Sequence, residues 1–208
     1  QLSQVNMSIA KTNYDRFYNW HTPFTPENAK QAVLLFNGEV YNGLKAKTLS
    51  SEEFQYLQNH LRIISGLYGV LRPLDLIQPY RLEMGCGLTV EDSRNLYEFW
   101  GNRITEKLND ALTLSGEPKI LLNLASGEYF KSVRAEKLKA RIIDVEFFET
   151  KNDRLKTIVV YTKKARGLMA RFVIKNRIEN PEELKGFSEE GYWFSPQLST
   201  EKKMIFTR

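Results

Sequence analysis

Between Arg154 and Arg177 the chain carries Arg154, Lys156, Lys163, Lys164, Arg166, Arg171, Lys175 and Arg177, and not one Asp or Glu. Over all 208 residues the balance is nearly even, with 30 Lys and Arg against 25 Asp and Glu. Most of the excess positive charge therefore sits in that one segment. A concentrated positive field recruits polyanions, of which nucleic acid is the commonest. The competing reading is a strand and a helix with ordinary charged solvent faces. Lys163-Lys164-Ala165-Arg166-Gly167 falls where a β-branched run passes into a helix, and lysines at a helix N-terminus oppose its dipole. An external anion held by amides and lysines together would resolve that conflict.

Leu61–Leu76 reads LRIISGLYGVLRPLDL. An apolar helix running into Gly66 and Gly69 and out again resembles a helix-hairpin-helix element, whose glycines let backbone amides approach a phosphate. Here the glycines are three apart instead of two, and Pro73 interrupts the second helix. The alternative is a helix capped at Gly66 and followed by a loop. Arg72, Asp75, Arg81 and Glu83 crowd the same region and either line a cleft or hold the loop in shape. Asp75, Glu83 and Glu128 are the candidates for acid–base work, with arginines to hold phosphate. They would serve an enzyme acting on a nucleotide or damaged base. Ser126 follows an apolar strand, but no G-x-S-x-G surrounds it, and two histidines make a Ser–His–Asp triad a poor fit. Ser126 reads better as a helix cap, with free amides for a phosphate oxygen if it faces a cleft. No cofactor is expected. His21, His60 and Cys86 lack zinc spacing, and Cys86 with Glu83 and His60 makes only a thin iron site.

These residues need a scaffold. Ala32–Phe36 reads as a buried strand. Ser50-x-x-Glu53 is a capping box that starts a helix over Ser51–Ile64. Asp92 or Ser93 caps a helix whose apolar stripe runs from Leu96 to Leu112. Lys119–Leu124 is a strand, Lys131–Ala140 a short basic helix or turn, and Ile142–Phe148 and Leu155–Tyr161 a hairpin joined by Lys151-Asn152-Asp153. Lys164–Ile178 is a helix. Pro181 opens and Gly186 closes a shorter one. Tyr192–Phe194 and Met204–Phe206 are final strands. Interspersed helices and strands with a hairpin imply an α+β fold, a mixed sheet with flanking helices in a single compact domain over residues 1–208.

The length suits one sizeable core. No apolar window approaches the roughly 18 residues of a membrane span, and no signal pattern opens the chain. A single cysteine excludes an intrachain disulfide, which fits a reducing cytoplasm. The sequence pI near 9.2 agrees with an acidic partner.

Six blocks carry a family likeness. HLRIISGLYGVLRPLDLIQPYRLEMG (His60–Gly85), NLYEFWG (Asn95–Gly101), NLASGEYFKSV (Asn123–Val133) and KKARGLMARFVIKNRI (Lys163–Ile178) resemble the YaaA family of bacterial peroxide-stress proteins. PFTPENAKQAVLLFNGEVYNGL (Pro23–Leu44) and GFSEEGYWF (Gly186–Phe194) are similar to it as well. The blocks span nearly the whole chain in the family's order. The resemblance implies a cytoplasmic protein that protects against hydrogen peroxide by limiting free iron and the radical damage it causes. It also implies DNA binding through a positive cleft and a helix-hairpin-helix-like element, and it brings no established catalytic activity. On that likeness the hairpin falls on Leu61–Arg72, with Gly66 and Gly69. The cleft falls on Arg62, Arg72, Arg81, Lys131, Lys163, Lys164, Arg166 and Arg171. The family's opening strand with its Ser-Pro-Ala-Lys segment has no counterpart here. Ser8-Ile9-Ala10-Lys11 only echoes it, and the N-terminal family segment is expected to be missing.

Overall fold

The computed structural model describes residues 7–152 and 154–208; Asp153 of the expected hairpin turn lies outside them. The elements in chain order are α1 (Met7–Tyr18), β1 (Lys30–Gln31), α2 (Ala32–Leu35), α3 (Glu39–Leu44), α4 (Ser51–His60), β2 (Ile63–Ser65), β3 (Gly69–Leu71) and β4 (Leu76–Ile77). There follow α5 (Leu96–Trp100), α6 (Arg103–Thr113), β5 (Ile120–Asn123), α7 (Gly127–Phe130), β6 (Arg141–Lys151), β7 (Arg154–Lys156), α8 (Val159–Asn176), β8 (Trp193–Phe194) and β9 (Lys203–Thr207). The fold is α+β with a mixed sheet, as the interspersed pattern implies. No helix among the described residues is long and apolar enough to cross a membrane.

The chain folds as two compact units, each built from separate segments. The first takes the described residues up to Leu35, Leu61–Leu114 and Ala125–Lys139; the second takes Phe36–His60, Ser115–Leu124 and Ala140–Arg208.

In the first unit two small antiparallel pairs, β1 with β4 and β2 with β3, stand beside α5 and α6. The segment expected as helix-hairpin-helix is a β-hairpin instead, with Ile63 opposite Leu71 and Ser65 opposite Gly69. The buried Ser65 hydroxyl turns the chain, accepting the amides of Leu67 and Tyr68. Alternate burial of Ile63 and Ser65, and of Gly69 and Leu71, is the two-residue period of a strand. The strand expected at Ala32–Phe36 stops at Gln31 and α2 follows. The Ala32 and Val33 amides donate to the carbonyls of Asp75 and Pro73. A short apolar run carries no period, so tertiary hydrogen bonding decides it. The helix expected across Leu96–Leu112 breaks at Gly101, whose φ is 53°, and its cap is Asn95, which accepts the Glu98 amide, not Asp92 or Ser93.

The second unit centres on a sheet of order β5-β6-β9-β8, with β7 on β6. β5, β6 and β9 are parallel; β7 and β8 are antiparallel to their neighbours. Ile143, Val145 and Phe147 of β6 bury themselves against Ala165, Leu168 and Met169 of α8, together with Phe187, Tyr192 and Phe206. The helix expected over Ser51–Ile64 closes at His60, and its capping box forms as read. The Ser50 amide donates to the Glu53 carboxylate and the Glu53 amide to the Ser50 hydroxyl. The strand expected over Leu155–Tyr161 ends at Lys156, and α8 begins at Val159, five residues earlier than expected. The Thr162 hydroxyl donates to the Phe147 carbonyl at 3.4 Å, tying this extra turn to the sheet. Such packing outweighs the β preference of Ile158, Val159 and Val160.

α8 crosses α3 at backbone contact. A Cβ on Gly167 would lie 1.8 Å from the Val40 carbonyl oxygen, and one on Gly43 2.2 Å from that of Lys164. Gly167→Ala should therefore destabilise by about 2 kcal/mol or more, as overpacking does, despite the better helix propensity of Ala. Gly127→Ala, with nothing near its added carbon, should be neutral or slightly stabilising. Urea unfolding of both variants checks the contrast.

Glu53 also binds Lys175 at 2.7 Å. The Lys175 ammonium first and the Ser50 amide second hold its carboxyl below the ordinary 4.5, against a small opposing burial effect. A depressed carboxylate stabilises the fold above its unfolded pKa, and that contribution is lost as pH falls through the folded value. Glu53→Gln should be less stable than the parent at neutral pH, and the two urea midpoints should converge below about pH 3.

Candidate functional site

The basic positions singled out in the sequence divide between the units. In the first, Gly66 and Gly69 serve packing. A Cβ on Gly66 would meet the Leu82 carbonyl at 2.6 Å, and the Gly66 carbonyl accepts the Trp100 indole N–H. Gly69 adopts φ 74° with the Trp100 ring 2.7 Å from where its Cβ would stand. Their special backbone is filled from within by Trp100, which accounts for both glycines as internal packing positions.

The arginines nearby are locally engaged. Arg72 binds Asp75 by both its Nε and its Nη2, and Asp75 also accepts the Arg72 amide. Asp75 thus closes a loop. Arg81 pairs with Glu83 at 3.0 Å. Arg62 is half-buried, donates to the Leu61 carbonyl, and has its pKa lowered chiefly by desolvation. Lys131 stands over the Tyr97 ring at 4.9 Å from its centre. Glu128 accepts the Gly85 amide at 2.8 Å, and its carbonyl accepts the Tyr97 hydroxyl. Each acid–base candidate in this unit, Asp75, Glu83 and Glu128, thus holds a structural partner. Tyr129 beside them is pushed up to about 12, mainly by burial. Ser126 occupies the N-cap of α7, yet its side chain makes no capping hydrogen bond.

In the second unit the sequence placed Lys163 and Lys164 at a helix start. They sit instead one turn inside α8, because Val159–Thr162 are already helical. The clash with the dipole inferred from the sequence is correspondingly weaker, since the field falls off beyond the first turn. Lys164 pairs with Glu190. Arg171 donates to the carbonyls of Leu44 and Lys45, closing the C-terminal end of α3. Arg166 is half-buried, its Nε has no hydrogen-bond partner, and its pKa is lowered by desolvation, with Glu146 opposing the shift. Lys163 is exposed and joins no ion pair among the described residues.

Lys151, which the sequence marks only as part of a hairpin turn, and Arg154 and Lys156, noted there only as members of the basic run, matter as much. Lys151, Arg154 and Lys156, on the β6–β7 ribbon, are exposed and without a carboxylate partner among the described residues. Glu149, the acidic residue of that ribbon's paired stretch, is taken by Arg208. Exposed Leu155, Ile158, Val159, Val160 and Tyr161 follow them along the chain. The ribbon and first turns of α8 thus offer uncompensated cations interleaved with apolar and aromatic surface. An alternation of Lys or Arg with an exposed ring is the available signal in the sequence, and it lies in the N-terminal half of the basic run.

Among the described residues no three His, Cys, Asp or Glu side chains gather as a metal site would require. The family model described as peroxide stress protein YaaA matches residues 1–198. With nearly the whole chain matched, this protein belongs to the YaaA family of peroxide stress proteins.

Proposed function

We propose that this peroxide-stress protein acts by binding DNA, without base specificity, through the β6–β7 ribbon and the start of α8, and so shields it from the damage that iron and peroxide cause. The observation that carries this reading is the set of uncompensated exposed cations Lys151, Arg154, Lys156 and Lys163. A phosphate approaching any of these displaces only water and counterions, and counterion release drives such binding. A phosphate approaching Lys164 or Arg72 must compete with a carboxylate already in place, which weakens the attraction and costs a local pair. The Tyr161 ring has the Arg208 guanidinium 4.7 Å from its centre on one face, and on this reading its other face stacks on an unpaired or frayed base. Among the described residues of this surface no helix offers Asn, Gln or Arg in the pattern that reads base edges, so the affinity it supports is one for backbone. The wider cleft drawn from Arg62, Lys131, Arg166 and Arg171 contributes less on this reading, since these side chains are half-buried or held by backbone carbonyls and a ring.

Fluorescence anisotropy with a labelled duplex tests this. Affinity should fall steeply with salt. Replacing Arg154, Lys156 and Lys163 together by Ala should lower the slope of log affinity against log salt by about 3, roughly one per phosphate contact. Lys164→Ala should change the slope much less. No saturable binding of the parent at about 50 mM salt, or a triple variant that binds like the parent, would refute the proposal.

A further inference from the structure

The first unit contains a hollow that the function above does not use. It measures about 220 Å³ and is lined by Ser8, Ile9, Thr12 and Arg16 of α1 and by Arg81. Two arginines from distant parts of the chain thus line one space. Their placement is fixed: the Asn13 side-chain amide donates to the Arg81 carbonyl, and the Arg81 amide donates back to the Asn13 side-chain oxygen, both at 2.9 Å. That pair of bonds clips α1 to the Arg81 segment. Glu83 takes one Nη2 hydrogen of Arg81 at 3.0 Å and leaves the remaining guanidinium donors. Arg16 joins no ion pair among the described residues. Arg16 thus leaves a charge unmatched at the hollow, Arg81 is matched only in part, and paired guanidiniums fit the oxygens of a phosphate.

A second hollow, of about 400 Å³, shares Thr12 and Arg16 with the first, has Asp15 in its lining, and continues past Asn19, His21, Asn28 and Gln78 to Pro79. Its size falls in the range of small-molecule sites. Its wall is preorganised. The His21 amide and carbonyl pair with both ends of the buried Gln78 side chain. The Asn28 oxygen accepts the Thr25 amide, so the Asn28 nitrogen is the group facing the ring and donates to His21 Nε2. His21 therefore carries its proton on Nδ1 and donates it to the Asn19 carbonyl. What remains is a wall of amides and an imidazole, with Asp15 among its residues, beside a hollow lined by two arginines of which one is paired with Glu83.

We propose that these joined hollows form a phosphate-ester site, with the phosphate between Arg16 and Arg81 and a nucleoside-sized body against His21 and Gln78. A free mononucleotide and a phosphate of a nucleic-acid chain share this chemistry. The site is built from residues of the first unit and the β6–β7 ribbon from those of the second, so each can be altered by substitutions that leave the other's residues in place.

The test is calorimetric titration of the full chain with AMP, inorganic phosphate and adenosine, with duplex anisotropy run in parallel. AMP should bind saturably, and more tightly than phosphate or adenosine. Arg16→Gln and Arg81→Gln should each weaken AMP by about tenfold or more, the worth of a charge-assisted hydrogen bond. Arg16→Lys should recover only part, because an ammonium keeps the charge without the fork. Unchanged circular dichroism and melting of Arg16→Gln, an exposed position, show that folding is intact. If the Gln variants weaken AMP but not the duplex, the ligand is a free nucleotide; if they weaken both, a nucleic-acid phosphate occupies the same site. AMP binding that is absent, or indifferent to both Gln variants, overturns the proposal.

Discussion

In the second unit the controlling constraint is the backbone contact of α3 with α8. At Gly167 and Gly43 neither helix has a side chain, and the carbonyls of Val40 and Lys164 occupy the space where Cβ atoms would stand. An approach this close fixes the crossing of the two helices with little freedom to slide. With α8 pinned on that side, its opposite face delivers Ala165, Leu168 and Met169 to Ile143, Val145 and Phe147 of the sheet. The same crossing brings Arg171 to the last carbonyls of α3 and Lys175 to Glu53 at the start of α4. Two basic residues of the run are thereby committed to holding helix ends. Within α8 and its cap, Lys163 near the N-terminal end and Arg177 at the C-cap join no ion pair among the described residues.

A comparable economy governs the first unit, where Trp100 does what the glycines of a phosphate-binding hairpin would leave to a ligand. Its ring lies over Gly69 and its N–H meets the Gly66 carbonyl. The glycines are needed for an internal aromatic contact, and the loop around them is drawn tight by Ser65, Asp75 and Tyr68. Basic side chains close to this loop are anchored in the same network. The site proposed in this unit accordingly draws on Arg81 and α1, not on that loop.

How much of this was legible in the sequence depended on how far each cause lies from its effect. The Ser50–Glu53 box, the strand at Lys119–Leu124, the strand at Ile142–Phe148 and the short Pro181–Gly186 turn rest on neighbouring residues, and the structure has them. Ile158–Tyr161 is β-branched and aromatic, so local preference favours a strand; the bond from Thr162 to Phe147, fifteen residues away, is invisible to any local pattern. Gly66 and Gly69 announce an unusual backbone, but Trp100 and Leu82, which explain it, are far along the chain. The charge run is legible as composition only. Lys164 finds Glu190, Lys175 finds Glu53 and Glu149 goes to Arg208, and no spacing rule predicts which cations such long-range pairing leaves over. The Asn13–Arg81 clip spans 68 positions and is silent in the sequence for the same reason.

The order of the sheet has a consequence for biogenesis. β9 follows every other strand in the chain, yet it lies inside the sheet between β6 and β8, and Phe206 on it touches Phe147, Phe187 and Phe194. Until that segment has left the ribosome, β6 has an open edge and the aromatic cluster lacks its middle member. Pairing partners nearly sixty residues apart also make closure slow, and an unpaired edge is the usual template for aggregation. A newly made copy should therefore keep that edge exposed, and lean on chaperones, until β9 is inserted.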